Sequence, residues 1–187
     1  MASGDQDRKT RGAARESAVE AAPSTAEECA RGYFEALARR DPEAMVAYWA
    51  PDGVDDIVPL RVLRGRDEIR SFFEGLFAAF PDLTTQVRRI VSDERCAAVE
   101  WRMRGTFSGR PFQGIAPTGQ KLELRGVDLV EVKAGLIVRN AAYYDGAAFA
   151  RQVGLLPPAD STAERALKSL FNAYVKVRKD IFGRLGG

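Results

Sequence analysis

The chain contains no histidine among its 187 residues. That absence excludes a Ser-His-Asp or Cys-His triad and any histidine-ligated zinc or haem site. Proton transfer near neutral pH would fall to Asp, Glu, Tyr or Lys with a shifted pKa. A binding protein would need none of these. Cysteine is scarce: Cys29 and Cys96 stand far apart, without metal-ligand spacing. A disulfide framework is not expected, and a reducing compartment fits. No run approaches the roughly 18 to 20 apolar residues of a membrane span, and the N-terminus lacks the apolar centre of a secretory signal. A cytoplasmic location is the expectation. Excess charge is also missing. A net +2 gives no strong field toward nucleic acid or membrane. With 45% hydrophobic residues, the chain can bury one good core.

Residues 1–24 hold scarcely a large apolar side chain and read as a disordered tail. Ser24 or Thr25 can cap a first helix with Glu27 and Glu28 in its first turn. Cys29, Tyr33, Phe34 and Leu37 recur at helical spacing. Asp41-Pro42 opens a second helix, predicted through Trp49, and Pro51-Asp52-Gly53 reads as a turn. Val54 to Leu63 is a short extended piece. A third helix after Gly65 carries Ile69, Phe72, Phe73, Leu76, Phe77 and Phe80, a stripe that is either core or pocket lining. The period then changes to two. Strands are predicted over 83–91, 96–104, 120–132 and 136–144, with tight turns at Asp93-Glu94 and Ala134-Gly135.

The glycine- and proline-rich loop between Arg104 and Gln120 has apolar tips at Phe107, Phe112 and Ile115. It reads either as the cover of a cavity mouth or as a plain hairpin connection. A short helix or turn follows over 146–156, and Asp145 reads as its cap. Ser161-Thr-Ala-Glu164 is a capping box opening a basic amphipathic helix. Leu167, Leu170, Phe171, Tyr174, Val177, Ile181 and Phe182 form one side of that helix. It is expected to pack on the domain or on a partner subunit; contact with an acidic membrane surface is the less favoured alternative.

One carboxylate stands out. Alternation puts Asp128 on the same face as Val130 and Val132. A buried carboxylate must be paired or held neutral. Asp128 is therefore either satisfied by backbone amides or by an arginine such as Arg102 or Arg125, or it faces a cavity and works there. Glu100 and Glu123 are expected on the outer side or in a subunit contact.

Helices followed by a run of antiparallel strands predict an α+β fold. Several stretches sharpen this: Tyr33-Phe-Glu-Ala-Leu-Ala-Arg-Arg-Asp41, Tyr48-Trp-Ala-Pro-Asp52, Arg64-Gly-Arg-Asp-Glu-Ile-Arg-Ser-Phe-Phe73 and Gly126-Val-Asp128. Over 25–158 the sequence resembles the SnoaL-like polyketide cyclases of the NTF2-like superfamily, cone-shaped α+β barrels. It also resembles the ketosteroid isomerases. This divides the chain into a tail at 1–24, a domain at 25–158 and a helical extension at 159–187.

The resemblance implies an enzyme of lyase or isomerase type. It would act on a hydrophobic polyketide-like or polycyclic carbonyl compound by aldol cyclisation or isomerisation, with no metal or organic cofactor. It implies catalytic roles for Asp128 and Tyr33, and a cavity lined by Trp49, Asp56, Phe73, Phe77, Trp101, Asn140 and Tyr144. It also implies a homodimer formed through the outer sheet face; that no nucleic acid is a partner is expected from the net charge alone. Ketosteroid isomerases hold a carboxylic acid neutral in an apolar site, and the resemblance extends that behaviour to Asp128. There are departures from the pattern. The isomerase base position aligns with Ile57, so Asp55 or Asp56 would need a one-residue shift. Asn140 stands where many SnoaL-like proteins carry histidine, and Phe107 replaces another. The alternatives are a non-catalytic binding or assembly module, and an epoxide hydrolase drawing on Arg102 and Asp128.

Overall fold

The computed structural model describes residues 25–58 and 60–184. The predicted tail at 1–24 lies outside them. The first helix, α1 (Ala26–Arg39), starts at Thr25 in a full capping box: the Thr25 side chain accepts from Glu28 N, and Glu28 returns the bond to the Thr25 backbone. Arg40 ends it in a left-handed conformation. The second helix, α2 (Pro42–Ala47), is capped by Asp41 and has proline in its first turn.

That helix stops at Ala47, and Trp49 already belongs to β1 (Trp49–Val58). The predicted turn at Pro51-Asp52-Gly53 is instead an irregularity within this strand, where the register shifts between Trp49 and Val54. A bulge absorbs these turn-forming residues without ending the strand. β2 (Arg61–Arg64) pairs back on β1, and α3 (Gly65–Ala79) follows. Then come β3 (Thr84–Ser92), β4 (Cys96–Thr106), β5 (Lys121–Lys133) and β6 (Leu136–Tyr144). The two-residue turn between β5 and β6 uses Ala134 and Gly135, both at positive φ, which matches the right-handed twist of the flanking strands. Two helices complete the described residues, α4 (Gly146–Gln152) and α5 (Thr162–Arg184).

The six strands form one sheet in the order β2-β1-β6-β5-β4-β3. All neighbours are antiparallel except β1 and β6, which run parallel. The first long strand therefore lies beside the last. α1 packs against β3, β4 and β5, while α3 packs against β1 and β2. The core fills the space between these helices and the sheet and includes Tyr33, Phe34, Phe80, Val99, Val130 and Ile137. This is the NTF2-like cone expected from the sequence.

Candidate active site

Asp128 points inward from β5, flanked on its own face by buried Val130. Only 5% of it is exposed. Neither Arg102 nor Arg125 compensates it. Arg102 pairs with Glu123 on the outside of the sheet. The compensation comes from neutral donors: Trp101 Nε1 donates to Asp128 Oδ1 at 2.7 Å, and Asn140 Nδ2 donates to Oδ2 at 2.8 Å.

The same Asn140 amide also donates to Asp55 Oδ1 at 3.0 Å. Asp55 is 1% exposed, and its strand partner across the parallel β1–β6 ladder is Asn140 itself. One amide nitrogen thus spends both protons bridging two buried carboxylates. The chemistry of the pair follows from its surroundings. Burial pushes Asp128 up to about 6, opposed by the Trp101 and Asn140 donors. Burial pushes Asp55 further, to about 8, and the nearby charge of Asp128 adds to the rise. Asp55 Oδ2 has no hydrogen-bond partner among the described residues, which suits an oxygen that carries a proton. Both carboxyls are thus held above the ordinary aspartate range, Asp55 the further, and they titrate as a pair.

Tyr33, from α1, sits beside them. Its ring packs edge-on against Phe34 and Trp49. Burial holds its phenol well above its ordinary pKa, and the fields of Asp55 and Asp128 raise it further. It stays a hydrogen-bond donor throughout the physiological range.

These groups stand at the wall of an apolar cavity of about 80 Å³. Helical residues such as Leu37, Phe72 and Phe73 line one side, and Trp101, Leu124 and Tyr144 line the sheet side. The long loop after β4 closes it: Phe112 lines the cavity and packs on Phe72 and Phe80. Phe107 stacks on Phe80 at 5.0 Å. Both readings of this loop hold: it is the connection of the β4–β5 hairpin, and it contributes Phe112 to the cavity wall.

Of the residues expected from the sequence, Tyr33, Asp128, Asn140, Trp101, Phe73 and Tyr144 meet at the cavity. Three do not. Trp49 is wholly buried core behind Tyr33. Phe77 lies behind Phe73, 6.1 Å away between ring centroids. Asp56 alternates to the other face of β1, where it faces Arg139 at 3.8 Å, and its neighbour Asp55 holds the inward place. The sequence offered Asp55 and Asp56 as alternatives at a one-residue shift and favoured Asp56; the structure turns Asp55 inward. The signal for Asp55 was its spacing of two from Ile57, an apolar residue on the buried face. Asp145 caps α4 through Ala148 N, as expected, and Glu100 and Glu123 are exposed.

The pattern of the SnoaL-like polyketide cyclase family matches residues 27–153. The chain belongs to that family. Among solved structures it is similar to IdmH from Streptomyces antibioticus, a candidate polyketide cyclase, at 28% identity and a TM-score of 0.57, over 68% of this chain and 97% of that one. A candidate polyketide cyclase from Xanthomonas campestris pv. campestris is also 28% identical, with a TM-score of 0.60, over 69% and 96%. AclR, a candidate hydroxylase from Streptomyces galilaeus, shares the fold at 22% identity and a TM-score of 0.62, over 86% and 96%. No curated protein matches. Superfamily membership of this kind goes with small hydrophobic molecules as ligands and leaves the reaction to the site itself.

Proposed function

We propose that this member of the SnoaL-like family is an enzyme that performs enolate chemistry on an apolar carbonyl compound. One observation carries the reading: two buried carboxylates joined by one amide at the wall of an apolar cavity. Two carboxyls whose environments push their pKa values apart divide into an acid and a base. Asp128, ionised, takes the proton from the carbon next to the carbonyl. The C–H electron pair forms the new C=C bond, and the carbonyl oxygen takes the proton of Asp55. The products are an enol, a protonated Asp128 and an ionised Asp55, so the net charge of the site is unchanged. Tyr33 supplies a second donor to the oxygen. In an isomerisation, Asp128 returns its proton at another carbon while the enol O–H restores Asp55. In an aldol closure, the enol carbon attacks a second carbonyl of the same molecule, the enol O–H returns its proton to Asp55 as the first carbonyl re-forms, and Asp128 protonates the new alkoxide.

The cavity constrains the substrate. Its 80 Å³ is well below the roughly 300–1,000 Å³ of drug-sized ligand pockets. The closed form takes only a small fragment, and a polyketide-sized molecule enters by displacing Phe112 and its loop.

The epoxide hydrolase alternative gains its second aspartate in Asp55 but loses its arginine. No arginine is among the described residues that line the cavity, and Arg102 is engaged outside.

The test is hydrogen–deuterium exchange at the α carbon of cyclopentanone in D₂O, followed by NMR. Wild-type protein is expected to catalyse the exchange. Asp128→Asn should lower it about 10²- to 10⁴-fold, the usual worth of a general base, with circular dichroism unchanged. Ketone binding without any exchange above buffer would make the protein a carrier and end the enzymatic reading.

A further inference from the structure

α5 is a 23-residue helix, on the order of 35 Å long. Its base is fixed to the domain. Glu164 is buried, accepts from Asp160 N at 2.9 Å and pairs with Arg151 of α4 at 3.1 Å. Ser161 caps it by accepting from Glu164 N. The sequence favoured packing of its apolar face; Ile181 and Phe182 lie outside the described side chains, and the described part of that face does not pack on this domain. Leu167, Leu170, Phe171, Tyr174 and Val177 are 47%, 71%, 62%, 62% and 56% exposed, and none joins the core.

Leu167, Leu170, Tyr174 and Val177 follow one another at spacings of three, four and three, the seam of a helix that packs lengthwise on another helix. At 100° per residue the five side chains fall within an arc of about 120°. Arg165, Lys168, Lys176 and Lys179 fall on the opposite side, about 120–180° from the centre of that arc. A helix lying in a bilayer surface gains from cations along the borders of its apolar face, at headgroup level. Here those cations face away, as they do on the outer positions of a helix pair. Arg178 falls within the arc, where a long stem can lie along apolar surface.

We infer that the apolar face of α5 is the contact between two copies of this chain, helix against helix about a two-fold axis. A seam of this kind is self-complementary, as an isologous contact requires. Aromatic side chains carry roughly 150–250 Å² each, so at these exposures the five residues offer on the order of 500 Å² per copy. The pair then buries on the order of 1,000 Å², the lower bound of a specific interface and the size of a reversible one. The outer sheet face is the competing surface, with Val127, Leu129 and Tyr143 exposed at 37%, 47% and 49%. Charged clusters interrupt it, Arg102 and Arg104 on Glu123 and Arg139 on Asp56.

The contact is independent of the chemistry in the cavity. It is tested by sedimentation velocity of the full chain from about 1 to 100 µM, the range an interface of this size implies. The expected result is a reversible monomer–dimer equilibrium. The double substitution Leu170→Glu with Tyr174→Glu should weaken it at least about 100-fold, since buried like charges replace an apolar contact, with helicity retained. Leu129→Glu with Tyr143→Glu should leave it in place. A wild-type monomer across the range overturns the inference, including one that co-sediments with phosphatidylglycerol vesicles. So does a dimer that survives the helix substitutions, or one that only the sheet substitutions dissociate.

Discussion

The indole of Trp101 reaches Asp128 on a cross-strand diagonal left open by the missing side chain at residue 126. Trp101 sits opposite Gly126 in the β4–β5 ladder, and its N–H lies 2.7 Å from Asp128 Oδ1. A Cβ on Gly126 would stand 2.7 Å from Trp101 Cη2 and 2.6 Å from the Tyr143 carbonyl oxygen. The bare backbone of one residue thus determines how the base two positions later is held.

Gly126→Ala and Trp101→Phe should therefore act on the same proton. The alanine should cost about 1–3 kcal/mol in stability, the usual cost of overpacking. The phenylalanine keeps most of the ring but removes a donor to a buried carboxylate, at about 1–3 kcal/mol. In both variants Asp128 loses a bond that favours its ionised form, so its pKa should rise above about 6. The acidic limb of the pH–rate profile for deuterium exchange should move to higher pH in each. A profile that keeps its acidic limb while stability falls would confine Trp101 to packing.

The pH dependence of stability has a definite sign. Asp55 and Asp128 keep their protons in the folded state up to about 8 and about 6, whereas in the unfolded chain they ionise near the ordinary aspartate value of 3.8. Between those limits the folded state binds more protons, so stability falls as pH rises. The stabilising contribution is fully present below the unfolded value and is lost as pH passes through the folded ones. Each unit of difference is worth about 1.4 kcal/mol, and the two sites titrate as a pair. Thermal melts should show the transition temperature dropping from pH 5 to 8.5. Asp55→Asn should flatten the upper part of that fall. An unchanged slope in the variant would mean that Asp55 does not hold its proton.

Phe112 closes the cavity from the loop rather than from the sheet, and it is buried against Phe72 and Phe80. Phe112→Ala should cost about 3–5 kcal/mol, as large-to-small core changes do. It should also let bicyclic ketones exchange as fast as cyclopentanone. Calorimetric melting together with exchange rates for 2-tetralone would check both. Loss of stability without a gain for the larger ketone would locate the entrance elsewhere.

The legible parts of the fold were the ones that local chemistry decides. Thr25 and Asp41 cap helices because their side chains match the open N–H groups behind them, and Asp128 stood out because two valines share its face. Other features depend on distant partners. Trp49 has helical spacing from Met45, yet it pairs with Ile137 in a strand. In Val54-Asp55-Asp56-Ile57 the spacing of Asp55 from Ile57 is matched by that of Asp56 from Val54, so the parallel partner β6 decides which acid turns inward. The donor role of Trp101 depends on the empty space over Gly126, on another strand. The exposure of the α5 stripe reflects the absence of a groove for it on this domain, which no periodicity reveals.

Asp55 and Asn140 are 85 residues apart in the chain, and the strands that carry them are among the first and last to be made. No shorter stretch, and no nascent chain still short of β6, contains both carboxylates together with the amide that bridges them. Activity should therefore return on refolding only with the slowest step that joins the two ends of the domain, since contacts of such long sequence separation carry the largest closure entropy. A ribosome-bound or truncated copy would be chemically silent however well its helices had formed.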